Sequence, residues 1–155
     1  MVCLQDKPID VAALLADFSV GLADNGAEVS FVGRMRALSD ARDAQGRQRP
    51  LEAMTLEHYP RMAQKQMRAL QNKAHGLWTL EKSLLVHRYG RILPREVIVL
   101  VAVASNHRAE AFAACCAMMD WLKVEAPFWK YEHFVGGGGR WVGTRKSDKQ
   151  RALSW

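Results

Sequence analysis

The segment Leu122-Lys123-Val124-Glu125-Ala126-Pro127-Phe128-Trp129-Lys130 holds two lysines around an apolar, proline-broken turn. An ammonium held against Phe128 and Trp129 is partly desolvated. Desolvation disfavours the charged form and lowers the pKa, which frees the amine for proton transfer or covalent chemistry. The competing reading is two solvated surface charges, the commoner state of lysine. Two further basic groupings accompany the pair, whose Lys123 ends a helix and whose Lys130 lies on the strand that follows: Arg34 and Arg36 at a strand end, and His107-Arg108 at a helix start. Free backbone N–H groups at a helix start favour an anion, and Arg108 can grip a phosphate through two donors. A solvent-facing first turn is the plainer reading of the same residues.

His107 and Lys123 sit at the two ends of one helical pattern. A helix of roughly 16 residues spans about 24 Å. Both side chains therefore cannot touch one small substrate within one subunit. Either there are two sites, or one site is completed by a second copy of the chain. The second option predicts a symmetric dimer with a composite pocket.

Other chemistries find no footing. There is no Ser–His–acid pattern, Walker loop, GxGxxG or HExxH. The run Gly136–Gly139 is not followed by Lys-Ser/Thr and reads as a hairpin turn. Glu57 and Glu132 can act as acids or orienting groups, but nothing local marks either. The cysteines are Cys3, Cys115 and Cys116, with no CxxC pair. A zinc site or disulfide framework is not expected, and the three read as small buried apolar residues in a reducing compartment. No metal or cofactor is expected.

The chain has 155 residues, 49% of them hydrophobic and 25% charged, which suits a single globular domain with a real core. A net charge of +6 favours an anionic partner: a phosphorylated small molecule, an acidic protein or nucleic acid. The start lacks a basic region followed by an apolar run, and no apolar stretch reaches membrane-spanning length. The protein reads as cytoplasmic, with no membrane partner.

The elements that must position these groups follow from pattern. Residues 1–5 suit a short edge strand. Asp10 suits the N-cap of a helix from Val11 to Phe18. Ala27 to Arg36 and Leu51 to His58 read as strands. The stretch from Ser39 to Pro50 is polar and aperiodic and reads as a mobile loop. Pro60 opens a helix with Ala63, Met67, Leu70 and Ala74 on one face and Gly76 as C-cap. Trp78 to Arg88 is a strand candidate, and Tyr89-Gly90-Arg91 a turn or bulge. Val97 to Val103 is apolar on both faces and reads as a central strand. Ser105-Asn106 caps the next helix, whose stripe is Ala111, Cys115, Met118 and Leu122, widened by Phe112 and Met119. Pro127 ends it. Phe128 to Val135 and Arg140 to Val142 form a hairpin. A basic tail runs from about 144 to 155 and either docks or frays. The order of elements gives an α+β domain.

Several pieces, in order along nearly the whole chain, resemble the large, catalytic subunit family of molybdopterin synthase. They are Phe31-Val32-Gly33-Arg34-Met35-Arg36, Leu56-Glu57-His58-Tyr59-Pro60-Arg61-Met62, His87-Arg88-Tyr89-Gly90, Ser105-Asn106-His107-Arg108-Ala109-Glu110-Ala111-Phe112, Met119-Asp120-Trp121-Leu122-Lys123, Ala126-Pro127-Phe128-Trp129-Lys130-Tyr131-Glu132 and Arg140-Trp141-Val142. The resemblance implies an α/β-hammerhead-type domain with an additional antiparallel β subdomain, as one domain over 1–155. It implies conversion of cyclic pyranopterin monophosphate to molybdopterin, with sulfur from the C-terminal thiocarboxylate of a small ubiquitin-like carrier subunit. It also implies a homodimer of catalytic subunits at the core of a heterotetramer. Carried over position by position, Lys123 and Lys130 are the catalytic pair. Arg34, Met35, Arg36, His107, Arg108, Lys130, Tyr131 and Glu132 contact substrate, with His107 and Arg108 donated by the partner subunit. Arg140 and Arg145 are secondary candidates. The family's polar pair after Arg36 is replaced here by Ala37-Leu38-Ser39.

Two other functions fit the composition. A nucleic-acid-binding module suits the charge and the aromatic residues among Lys and Arg, but no RNP-like, zinc-finger or helix-turn-helix pattern is present. A scaffold that only binds the carrier is opposed by the retained Lys123 and Lys130.

Overall fold

The computed structural model describes residues 1–22 and 25–155. In chain order the elements are β1 (Val2–Gln5), α1 (Val11–Ser19), β2 (Ala27–Arg34), β3 (Leu38–Arg42), β4 (Gln48–His58), α2 (Pro60–Leu77), β5 (Leu80–Arg88), β6 (Gly90–Ile92), β7 (Val97–Ser105), α3 (Arg108–Glu125), β8 (Phe128–Phe134), β9 (Gly139–Val142) and α4 (Lys146–Ala152).

Strand β7 organises the first half of the core. It lies inside a four-stranded sheet ordered β1-β5-β7-β2, antiparallel to both neighbours, with β1 parallel to β5 at the edge. Alternation along β7 sends Val99, Val101 and Val103 to one face, where α2 and α3 cover them with Met67, Leu70, Met118 and Trp121. Leu100, Ala102 and Ala104 face the other side, under Ile9 and Phe18 at α1. A strand covered on both faces has no polar face to show, hence its unbroken apolar run. Each fully buried large side chain here contributes about 1.5–3 kcal/mol.

The helix ends follow local chemistry, with two departures from expectation. Asp10 Oδ1 accepts the Ala13 N–H at 3.0 Å, as an N-cap should. Gly76 is not a C-cap: α2 runs through it to Leu77, and the Trp78 N–H closes the end on Ala74 O. The N-cap position of α3 is His107, not Ser105-Asn106, because β7 continues to Ser105. The Ser105 hydroxyl instead accepts the His107 N–H at 3.3 Å.

The second sheet is ordered β3-β4-β8-β9, with β6 also on β4. It closes over Met35, Leu51, Met54, Leu56, Ile92 and Phe134. The expected mobile loop at 39–50 is largely a hairpin: β3 and β4 pair antiparallel, and the Asp43 side chain bonds the N–H groups of Gln45 and Arg47 in the turn. The segment shows no apolar period because its inward residue is Ser39, fully buried, while Leu38 points outward. The β8–β9 turn uses Gly136, Gly137 and Gly138 at φ of +84°, +100° and +75°, a backbone that side chains rarely adopt.

The basic tail does not fray. It forms α4 against α3, and the Trp155 indole donates to Asp120 Oδ2 at 2.9 Å. Three burial expectations are corrected. Phe112 is 58% exposed and does not widen the core stripe; Cys116 is exposed, leaving Cys115 as the buried cysteine of α3; and Trp129 faces outward against Tyr59.

Candidate active site

A cleft of about 460 Å³ opens where the two sheets meet the C-terminal end of α3. One wall is the end of β2 and the residues after it, including Gly33, Arg34, Met35 and Arg36. Their path is fixed by the turn before β7. The Met35 N–H donates to Glu96 O at 2.9 Å, the Arg95 N–H donates to Met35 O at 2.8 Å, and Arg34 Nη1 donates to Arg95 O at 3.1 Å. Met35 is buried beneath them, and Arg36 is exposed above.

The opposite wall carries the lysines. Lys123 projects from the last turn of α3, whose buried Met119 and Leu122 line the cleft floor. Pro127 prevents α3 from continuing, and β8 turns back along the cleft. Alternation on β8 puts Phe128, Lys130 and Glu132 on the cleft side. Lys130 is half-buried, and its amine is held below the ordinary lysine pKa. Burial is the main cause, the Lys123 charge the second; Arg145 and Arg36 add to it and Asp148 opposes it.

The C-terminal segment closes the third side with Gly143, Thr144, Arg145 and Asp148. Asp148 Oδ1 lies 3.8 Å from Lys123 Nζ. Asp40 binds both Arg36, at 3.3 Å, and Arg145. The Arg36 hydrogen bonds and the two guanidinium charges hold the Asp40 carboxyl below the usual carboxylate range. The lining has five cations (Arg34, Arg36, Lys123, Lys130, Arg145) against three carboxylates (Asp40, Glu132, Asp148), so it favours an anionic guest.

Glu132 anchors the cleft from below. Its Oε2 accepts the Ser39 hydroxyl at 2.5 Å and Arg140 Nε at 2.9 Å, and Arg140 Nη2 also donates to Ser39 Oγ at 3.0 Å. Arg140 thus acts behind the lining. Tyr131 points to the other face of β8, against His133 and Trp141, and is not among the residues that line the cleft. His107 and Arg108 are exposed at the far end of α3. Eighteen residues of helix place them about 27 Å from the other end. Among the described residues no group of three or more His, Cys, Asp and Glu side chains is arranged to hold a metal ion, and no helix is long and apolar enough to cross a membrane.

Sequence reasoning missed Asp40, Asp148 and His87 at this site. His87 lies in one of the family-like pieces but carried no role there. Asp40 and Asp148 have no local signal at all: they are acidic residues in polar stretches that become significant only when folding sets them against Arg36 and Lys123.

Known proteins resemble this chain in sequence and in fold. The family model described as MoaE protein matches residues 4–125. A molybdopterin synthase catalytic subunit of Cereibacter sphaeroides is 42% identical over 154 residues, covering 99% of both chains. A solved molybdopterin biosynthesis MoaE protein from Burkholderia ambifaria superposes with a TM-score of 0.81 at 37% identity, covering 100% of this chain and 97% of that one. A Helicobacter pylori structure, a complex of subunits 1 and 2 of molybdopterin-converting factor, shares the fold with a TM-score of 0.69 at 17% identity, over 94% of this chain and 90% of that one. The chain belongs to the MoaE protein family, that of the molybdopterin synthase catalytic subunits.

Proposed function

We propose that this chain is the sulfurtransferase subunit that converts cyclic pyranopterin monophosphate to molybdopterin, with sulfur delivered as the C-terminal thiocarboxylate of a small ubiquitin-like carrier. The observation that carries the reading is the meeting of Lys123, Lys130 and Arg36 in one cleft, with the Lys130 amine shifted toward its neutral form. The sulfur nucleophile comes from the carrier, so no cysteine of this chain is required at the cleft.

The residues divide the work by position. Arg36 and Arg145 lie where a phosphate can take over from Asp40 as their partner. Lys123, the more exposed lysine, meets the carrier's tail as it enters. The thiocarboxylate sulfur forms a C–S bond to the substrate as a substrate C–O bond breaks and its oxygen leaves; water then adds to the resulting thioester, Lys123 stabilises the oxyanion that forms on the acyl oxygen, and the acyl–sulfur bond breaks. That cleavage returns the carrier as a carboxylate and leaves sulfur on the product. Lys130, deeper and less protonated, exchanges a proton with the substrate or stabilises negative charge developing on it. Glu132 and Met35 shape the floor.

His107 and Arg108 enter the same scheme from a second copy of the chain, because α3 carries them away from the lysines of their own subunit. The assembly is then a dimer of catalytic subunits with a carrier at each end, working in the cytoplasm. The test is reconstitution with purified carrier thiocarboxylate and the cyclic substrate, using Lys123→Ala and His107→Ala singly and mixed. Each variant alone is expected to be nearly inactive, and the mixture to regain activity, since a mixed dimer contains one intact composite site. Wild-type protein that forms no dithiolene product overturns the reaction. A mixture as inactive as its components overturns the shared site.

A further inference from the structure

Arg36 and Arg145 come from distant parts of the chain and meet on one carboxylate. Asp40 lies on β3, where alternation turns Ser39 into the buried network with Glu132 and Arg140 and turns Leu38 and Asp40 to the cleft side. Ser39 Oγ also accepts the Ala41 N–H at 3.0 Å, and the Leu51 N–H donates to Ala37 O at 2.8 Å. The backbone that carries Asp40 is therefore held on both sides. From that fixed point Asp40 Oδ1 accepts Arg36 Nη1 and Oδ2 accepts Arg36 Nη2, each at 3.3 Å, and Oδ2 also accepts Arg145 Nη2. Among the described residues no other carboxylate forms an ion pair with either guanidinium.

The three side chains are not packed in place. That of Arg36 is 62% exposed, that of Arg145 55% and that of Asp40 47%. Arg145 precedes α4, a helix with no buried residue, and follows the exposed Gly143 and Thr144. What holds the two guanidiniums together against their own repulsion is thus the shared carboxylate, in a contact that water reaches and that a side-chain rotation undoes. Asp40 stays ionised there. Its carboxyl is held below the usual range first by the hydrogen bonds from Arg36 and then by both guanidinium charges.

We propose that Asp40 is a positioning residue for the anion site: it keeps Arg36 and Arg145 paired while the cleft is empty, yields them to the substrate's phosphate, and takes them back as the phosphate-bearing product leaves. The inference rests on the proposed reaction for the identity of the guest. Phosphate enters with the substrate and has to leave with the product, so a clamp that only tightens on it slows turnover. Two guanidiniums grip a phosphate through paired N–H···O bonds, and they grip a carboxylate in the same way. An anion tethered beside them is present at high effective concentration. Each time one guanidinium slips off the bound phosphate, Asp40 is at hand to capture it, and the exchange proceeds one guanidinium at a time. No covalent bond changes in it and no proton moves. The same exchange weakens binding, since a guest has to displace Asp40 and then sit near its charge.

Binding is measured first on the protein alone by calorimetry, with inorganic phosphate as the probe. Asp40→Asn keeps the shape and removes the charge. It is expected to bind phosphate about 3- to 30-fold more tightly than wild type, the range set by two exposed ion pairs that the guest no longer has to break. Adding Arg145→Gln to Asp40→Asn is expected to lose that gain. Asp43→Asn removes the same charge from the turn of the same hairpin, where Asp43 pairs with Arg47, and is expected to change the affinity less than about twofold. With excess carrier thiocarboxylate and cyclic substrate, Asp40→Asn is expected to lose several-fold more in steady-state rate than in single-turnover rate, and Asp40→Glu to restore the ratio. Phosphate affinity that is unchanged or weaker in Asp40→Asn overturns the inference, as does a gain that Asp43→Asn matches, an equal loss in the two rates, or phosphate that binds neither protein. Should Asp40→Asn fail to fold, wild type decides. Phosphate is expected to move the Asp40 carboxyl titration, followed by carbon-13 NMR, up toward the ordinary carboxylate range as its guanidiniums depart, and a titration that phosphate leaves unmoved refutes the exchange. Absence of product from wild-type protein counts against the reaction, whereas the phosphate measurements count for or against Asp40 alone.

Discussion

Replacing Glu132 with Gln tests how the cleft floor is held. Glu132 Oε2 accepts two hydrogen bonds, from Ser39 at 2.5 Å and Arg140 at 2.9 Å. The glutamine keeps the shape but loses the charge, and its amide nitrogen faces groups that only need an acceptor. Each charge-assisted bond is worth about 1.5–3 kcal/mol. Breaking a fully buried ion pair costs about 3–5 kcal/mol. The Glu132 side chain is 9% exposed but that of Arg140 is 39% exposed, so the stranded guanidinium can turn to water. The destabilisation therefore lies near the lower bound, about 2 kcal/mol. For a chain of this size that is a drop in Tm of about 4–8 °C. Urea unfolding of Glu132→Gln, Arg140→Met and the double variant measures it. The expected coupling between the two sites is about 1–2 kcal/mol. A loss under about 0.5 kcal/mol with additive singles refutes the view that this network supports the floor.

Four further outcomes follow from the same geometry. Asp148→Asn removes the carboxylate that raises the Lys130 pKa, so the pH limb assigned to Lys130 moves further down, and a pH–rate profile that moves up contradicts the placement. Gly33→Ala brings a Cβ within 2.5 Å of Val99 Cγ1 on the neighbouring strand, which is expected to cost about 1–3 kcal/mol in urea unfolding and to narrow the cleft. Acid destabilises the fold through His87: its folded pKa of about 3 lies below the ordinary 6.5, so the unfolded chain binds the extra proton between those values. The His87 contribution is then complete above pH 6.5 and falls below it by at most about 1.4 kcal/mol per pH unit, a slope that urea midpoints between pH 7 and 5 detect and His87→Phe reduces, the remainder coming from His58 and His75, which burial also holds below 6.5. Lys123→Ala leaves urea stability within about 0.5 kcal/mol, because its partner Asp148 is a surface-type contact at 3.8 Å.

What the chain declared locally and what it concealed separate along one physical line. Val97 to Val103 announced a strand covered on both faces, and Ala63, Met67, Leu70 and Ala74 announced the buried face of α2, because apolar burial writes a period into the sequence. Ser39 hid β3: a hydroxyl buried on a carboxylate reads as a loop residue, and the exposed Leu38 beside it inverts the pattern. The same inversion runs along β8, where Lys130 and Glu132 face inward and Trp129 outward. A polar site turns its polar residues in, so pattern reasoning fails just where the chemistry sits. The lysine pair was visible because proline and aromatics flank it. Its acidic counterparts were not, since Asp40 and Asp148 acquire meaning only from residues distant in the chain. His107 and Arg108 were visible as a helix start, and the length of α3 separates them from Lys123 as the sequence pattern required.

The most direct measurement is a single-turnover reaction of folded Lys123→Ala and Lys130→Ala with stoichiometric carrier thiocarboxylate, read as dithiolene product against wild type. The account predicts that both variants bind the carrier and retain their fold while product formation collapses in each. Near-normal turnover by either, with the amine gone from the cleft, contradicts it.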